Sequence, residues 1–195
     1  MGQEIEYKLR APDADALARA YVRVGTAAAA GQEQIIEMDT RYFDTPEGVL
    51  RARRWTLRIR RENDRSVLTC KTPGQGHSRG EWELVRTADA PAPTASELRA
   101  LAELGAPETL TQLEELRPVC GAHFTRRCVT LTLPDAIIEL AADAGELFGA
   151  RERERFFELE LELKSGNAGR LAELADIAAL PEEPLSKQAR AMRLL

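Results

Sequence analysis

Apolar and polar residues alternate along much of this chain, the spacing of a strand with two unlike faces. The segments that read as strands are QEIEYKLR (3–10), QIIEMDTRYFD (34–44), WTLRIRRE (55–62), SVLTCKT (66–72), GEWELVR (80–86), HFTRRCVTLTL (123–133), AIIELAAD (136–143) and RFFELELELK (155–164). ENDR (62–65) supplies a hairpin turn between two of them. Helical spacing marks PDADALARAYVRVG (12–25), SELRALAELG (96–105) and NAGRLAELADIAAL (167–180). Shorter helices are predicted over TLTQLEEL (109–116) and SKQARAMRLL (186–195). Thr94 with Glu97 fits a capping box, and Gly25 and Gly105 stand where helices end. Helices fall between groups of strands rather than after each strand. The predicted class is therefore α+β, with mostly antiparallel pairing.

Splitting the strands by parity sorts the charges. One face of the first carries Glu4, Glu6 and Lys8, and others carry Arg58 with Arg60, Thr69 with Lys71, and Arg79 with Glu81 and Glu83. In the last strand Glu158, Glu160, Glu162 and Lys164 oppose Phe157, Leu159, Leu161 and Leu163. A wet outer face is the ordinary explanation for any one of these strands. Together they resist it, because three carboxylates at about 7 Å intervals with no cation between them repel one another. Acid and base in separate blocks suit a ligand that needs both: carboxylates for a hard divalent cation, Arg and Lys for phosphate oxygens. A closed barrel of about eight strands can hold one small ligand. Its charges would point inward, and its apolar face outward against helices.

Composition narrows the picture further. The chain has 195 residues, enough for one domain with a real core, and residues 1–195 are read as one unit. Net charge is 27 − 32 = −5, so no bulk positive field favours nucleic acid or an anionic membrane surface. No apolar run reaches the roughly 20 residues of a membrane helix. Cys70, Cys120 and Cys128 match no metal spacing and read as free thiols of a reducing compartment, so a cytoplasmic location is expected. His77 and His123 are the only histidines, and neither sits in a zinc or metalloprotease motif. PGQGHSRG (73–80) has neither Walker nor dinucleotide-loop spacing. Asp44 in TRYFDTP reads as a turn residue.

EIEYK at residues 4–8 resembles the ExExK signature of the CYTH domain, or triphosphate tunnel metalloenzyme, family. The resemblance continues in order through RYFDTPEGVLRARRWTLRIRRE, LTCK, RGEWEL, LRPVCGAHFTRR, ELAADAGEL, FELELELKSG and PLSKQARAMRLL. ExExK alone is weak, whereas the whole series is specific and is most similar to the bacterial inorganic triphosphatase branch. The resemblance implies an eight-stranded antiparallel closed β-barrel, a tunnel with a charged interior flanked by α-helices. It implies a triphosphate substrate and Mg²⁺ or Mn²⁺ as cofactor. Glu4, Glu6, Glu158 and Glu160 match its metal-binding carboxylates, with Glu162 ranked below them and Glu81, Glu83 and Asp143 as further acidic positions. Lys8, Arg58, Arg60, Lys71, Arg126 and Lys187 match its phosphate-gripping residues, with Arg79 and Arg190 as second choices. Lys8, Glu4 and Glu6 form the expected catalytic centre. Tyr7, Cys120 and His123 depart from the family pattern but remove no proposed ligand, and Tyr7 and Arg127 should face outward.

The expected reaction is attack of water on a terminal phosphorus of tripolyphosphate, releasing pyrophosphate and phosphate. The alternatives are thiamine triphosphatase, nucleoside triphosphatase or class IV adenylyl cyclase on the same fold, and a non-catalytic polyphosphate-binding module. Glu4 and Glu6 should raise the pKa of Lys8, which argues against Lys8 as general base. Tyr42 is a further candidate neighbour of Lys8. No nucleic-acid or membrane partner is expected, and an exposed apolar helix face leaves room for a homodimer.

Overall fold

The computed structural model describes residues 2–195. Among the described residues nine strands are present: β1 (Gly2–Arg10), β2 (Ala29–Ala30), β3 (Gln34–Asp44), β4 (Thr56–Glu62), β5 (Arg65–Thr72), β6 (Ser78–Val85), β7 (Arg117–Leu133), β8 (Ala136–Phe148) and β9 (Arg153–Gly166). They form one sheet in the order β2-β7-β3-β4-β5-β6-β1-β9-β8, and β7 also pairs with β8. Only β2 hangs outside that ring, on β7, so the other eight close into an antiparallel barrel. Closure leaves the barrel no open sheet edge.

The barrel is apolar outside and charged inside. Helix α1 (Ala14–Gly25) and helix α4 (Gly169–Ala178) pack on the outer face of β1, β7, β8 and β9. The contact is made by Leu17, Tyr21, Val24, Leu171 and Leu174 against Leu9, Leu140, Leu159 and Leu161. Helix α3 (Ala95–Glu103) and the 3₁₀ turn Glu108–Gln112 cover the other half, where Leu98, Leu101 and Leu110 meet Leu57, Leu68 and Cys70. Alternation along each strand thus has a single cause: leucines point out to the helices, and their neighbours must point in.

Local signals survive well. Thr94 and Glu97 form the capping box of α3, and Gly105 adopts φ +101° just beyond it. Asp13 caps α1 by accepting from the Ala16 amide at 2.7 Å. Asn63 turns the β4–β5 hairpin at φ +51°. Asp44, expected in a turn, is the last residue of β3, and its side chain organises the turn that follows. It is buried and accepts from the Thr45, Leu50 and Arg51 amides, which starts the short helix α2 (Val49–Ala52).

Three local expectations are corrected. Helix α1 runs through Gly25 and is capped at Thr26, so that glycine is not in a left-handed turn. Residues 108–112 wind as a 3₁₀ turn rather than an α-helix. Strand β7 begins at Arg117, six residues before the predicted start. Pro118 and Gly121 hide that first part from sequence reasoning because both weaken strand propensity. The structure places Pro118 at an irregularity between Tyr42 and Phe43, and a Cβ at Gly121 would collide with the Thr40 carbonyl and the Phe148 ring.

Helix α5 (Lys187–Ala191), with the 3₁₀ turn Met192–Leu194, plugs one end of the barrel. Ala191 and Leu194 join Met38, Tyr42, Phe124 and Phe156 in an apolar cluster there. Gln188 bonds the Thr56 hydroxyl on β4. The segment leading to α5 lies along β1, through Arg10 N–H to the Pro181 carbonyl (2.8 Å) and Glu183 N–H to the Lys8 carbonyl (2.7 Å).

Candidate active site

The interior holds a cavity of about 300 Å³. Among the described residues nine cationic side chains line it: Lys8, Arg58, Arg60, Arg65, Lys71, Arg79, Arg126, Lys164 and Lys187. Eight carboxylates face them: Glu4, Glu6, Glu62, Glu81, Glu83, Glu139, Glu160 and Glu162. Every residue matched from the sequence to a metal-binding or phosphate-gripping position lies in the cavity or directly beneath it. Asp143, Glu158 and Arg190 are the ones beneath, at the α5 end.

That end is a dense ionic cluster. Register places Asp143 opposite Arg126 and Glu158 on neighbouring strands. Oxygens of Asp143, Glu158 and Glu160 lie within 4.8 Å of one another. Lys187 reaches in from α5, with Nζ 2.9 Å from Asp143, 2.6 Å from Glu160 and in contact with Glu158. Arg126 forks onto Asp143 at 2.8 and 2.7 Å and also contacts Glu160. Arg190 approaches Glu158 at 3.3 Å and Glu154 at 3.0 Å. The rings of Phe124 and Phe156 each lie 5.4 Å from the Lys187 ammonium.

Burial and pairing pull these groups apart. Desolvation pushes the Glu158 carboxyl up to about 7, against the pull of Lys187. Burial would raise Glu160 too, but Lys187 and Arg126 hold it well below the usual carboxylate range. The same carboxylates overcome burial at Lys187 and Arg126 and hold both well above their ordinary values.

The wall of β1, β4, β5 and β6 is looser. Lys71 bonds Glu4 at 2.7 Å, and Arg79 reaches Glu6 at 2.5 Å and Glu4 at 3.4 Å. Arg60 is held by Glu62, with Nε at 2.8 Å. Arg58 has carboxylates only at 3.7 and 3.9 Å, and its buried Nε has no partner. The Lys8 side chain lines the cavity, and its ammonium has no hydrogen bond or ion pair among the described residues.

The expected rise in the Lys8 pKa is overturned. Burial lowers it, Arg79 adds to that, and together they outweigh Glu6, Glu158 and Glu160. Arg60 is likewise lowered by burial and by the neighbouring Arg58 and Arg126. Tyr42 lines the same cavity as Lys8. Burial raises the phenol, and its charged neighbours are Arg58, Lys187 and Arg60.

Outside the barrel, Tyr7 stacks on His77 with centroids 3.8 Å apart. Arg127 pairs with Glu33 at 2.6 Å on the surface, as parity predicts. The three cysteines are buried free thiols. Sequence reasoning missed Glu62 and Glu139. Their signal was available: Glu62 shares parity with Arg58 and Arg60, and Glu139 with Asp143. Among the described residues no helix is long and apolar enough to cross a membrane.

Comparison with known proteins agrees with this architecture. The CYTH domain profile matches residues 2–192. An inorganic triphosphatase of Haemophilus influenzae is 31% identical over 140 residues. The match spans 70% of this chain and only 38% of that protein. The PH1819 protein of Pyrococcus horikoshii superposes with a TM-score of 0.59 at 19% identity, covering 97% of this chain and 98% of that one. A Hippeastrum putative adenylyl cyclase with a dominant triphosphatase activity superposes with a TM-score of 0.55 at 19% identity, covering 99% and 95%. These two likenesses concern the fold.

Proposed function

The chain belongs to the CYTH domain family, and we propose that it hydrolyses inorganic triphosphate inside the barrel with the help of a divalent metal. The observation that carries this reading is the charge balance of the cavity, nine cations against eight carboxylates. A bare polyanion would gain from the cations and lose to the carboxylates. A triphosphate already neutralised by metal uses both sets. Cavity size supports the inorganic substrate. About 300 Å³ is at the lower limit of ordinary ligand pockets. Its aromatic linings, Tyr42 and Phe124, are 3% and 4% exposed and offer no open face to an adenine or thiazole ring.

The donor set fits a hard dication. Asp143, Glu158 and Glu160 converge, and a cation, the Lys187 ammonium, already stands among them. These three, with the cavity-facing Glu4, Glu6 and Glu162, are the residues that would hold Mg²⁺ or Mn²⁺. When bound, such an ion screens phosphate oxygens and acidifies water. Lys8 and Arg58, the under-partnered cations, take phosphate oxygens directly and lose little in doing so. Lys71, Arg79 and Arg60 exchange part of their carboxylate contacts for phosphate. This grip aligns the chain and stabilises charge on the leaving pyrophosphate. Water adds to the terminal phosphorus, the P–O–P bridge breaks, and pyrophosphate and phosphate leave.

The test is phosphate release by metal-stripped protein supplied with tripolyphosphate, thiamine triphosphate or ATP, each with and without Mg²⁺ or Mn²⁺. Metal-dependent turnover of tripolyphosphate well above the others is expected. Preference for an organic triphosphate moves the activity to a sister reaction. Binding of tripolyphosphate without turnover of any substrate makes the chain a binding module.

A further inference from the structure

Lys187 is the only group from α5 that touches all three carboxylates of the Asp143–Glu158–Glu160 cluster. We propose that its ammonium and a divalent metal ion compete for these carboxylates, so that loading the metal there releases Lys187 and loosens the α5 plug. The inference rests on the reading that this chain takes a divalent metal.

Charge makes the two cations exclusive. Asp143, Glu158 and Glu160 already face three cations, Lys187, Arg126 and Arg190, and all of these but the cavity-lining Glu160 are buried. Adding a dication with Lys187 in place would set two cations against each other among the same carboxylates, a costly state away from water. Arg126 cannot yield as readily, because its strand is paired on both sides and its fork is bidentate on Asp143. Lys187 sits on a helix of only five residues, capped at Ser186. Geometry agrees with charge. The oxygens that would hold the ion are those that now surround Nζ at 2.6–2.9 Å, so ion and ammonium would claim the same place.

Once Lys187 leaves, α5 keeps Ala191 and Leu194 in the apolar cluster, the Arg190 pairs and the Gln188–Thr56 bond. It loses its central anchor and the two aromatic rings around it. The freed ammonium faces the cavity, which it already lines. Metal loading and opening of the plugged end thus become one event.

The experiment is an Mn²⁺ titration of metal-stripped protein without substrate, followed by calorimetry and by hydrogen exchange resolved over residues 187–194. Mn²⁺ should speed exchange of those amides by roughly tenfold while β8 and β9 stay protected. Lys187→Met should bind Mn²⁺ roughly tenfold more tightly than wild type, its fold being checked by the same strand protection. The wild-type arm stands even if that variant fails to fold. Mn²⁺ that binds without speeding exchange at 187–194, or a folded variant that binds no more tightly, overturns the competition and leaves the proposed function intact. Absence of Mn²⁺ binding in both proteins removes the metal from both proposals.

Discussion

Lys187 touches three carboxylates at the α5 end of the barrel, whereas Lys8, on the β1 wall, touches none. The same contrast separates two arginines. Arg126 is forked onto Asp143 and also contacts Glu160, whereas Arg58 keeps its carboxylates beyond 3.5 Å and has an orphan Nε. Both regions are built from the same residue types on the same barrel. One is internally satisfied and holds the plug. The other leaves Lys8 and Arg58 under-satisfied and open to an incoming anion. Composition does not separate an anchor from a binding site here, but partnership does.

That contrast is broken most severely at the satisfied end. Arg126→Met leaves Asp143 and Glu160 short of a cation in a desolvated site and should cost about 3–5 kcal/mol in urea unfolding. On the looser wall, Arg58→Met should cost less, about 1 kcal/mol in unfolding stability, since it breaks only two long contacts and Glu81 keeps Lys71 at 3.1 Å. It should nevertheless reduce tripolyphosphate turnover roughly 10²–10³-fold in steady-state kinetics. Equal stability losses in the two variants would erase the distinction between the regions.

Titration sharpens the same comparison. Burial raises Glu158 to about 7, above its value in the unfolded chain. Between about pH 4.5 and 7 the folded protein therefore holds a proton that the unfolded chain has released. This contribution favours folding at the acid end of the window and is lost as pH rises through 7. Chelator-treated wild type should lose about 1–3 kcal/mol across that window relative to Glu158→Gln, read from melting curves. A flat difference would mean that Glu158 stays ionised beside Lys187. The smallest effect belongs outside the barrel. His77→Ala removes the stack on Tyr7 and should cost about 0.5–1.5 kcal/mol with turnover unchanged.

Much of this was legible from parity. Alternation in EIEYK, TLRIR and FELELELK already assigned charges to one face and leucines to the other, because a strand leaves no third choice. The Thr94–Glu97 box and the role of Asp44 were legible too, since both act within a few residues. Ring closure was an inference from segregated charge. It became a fact only when β7, including the stretch Pro118 and Gly121 disguise, paired with both β3 and β8.

By itself, then, the sequence determined which side chains face the interior and what chemistry they can offer, because those follow from a period of two and from functional-group identity. Only the tertiary structure decided which carboxylate meets which cation. It placed Glu158 under Lys187 and left Lys8 alone, and it reversed the expected Lys8 shift. The reason is physical. Pairing depends on register across strands far apart in the chain and on where α5 lands, and burial enters the electrostatics only once the barrel has closed.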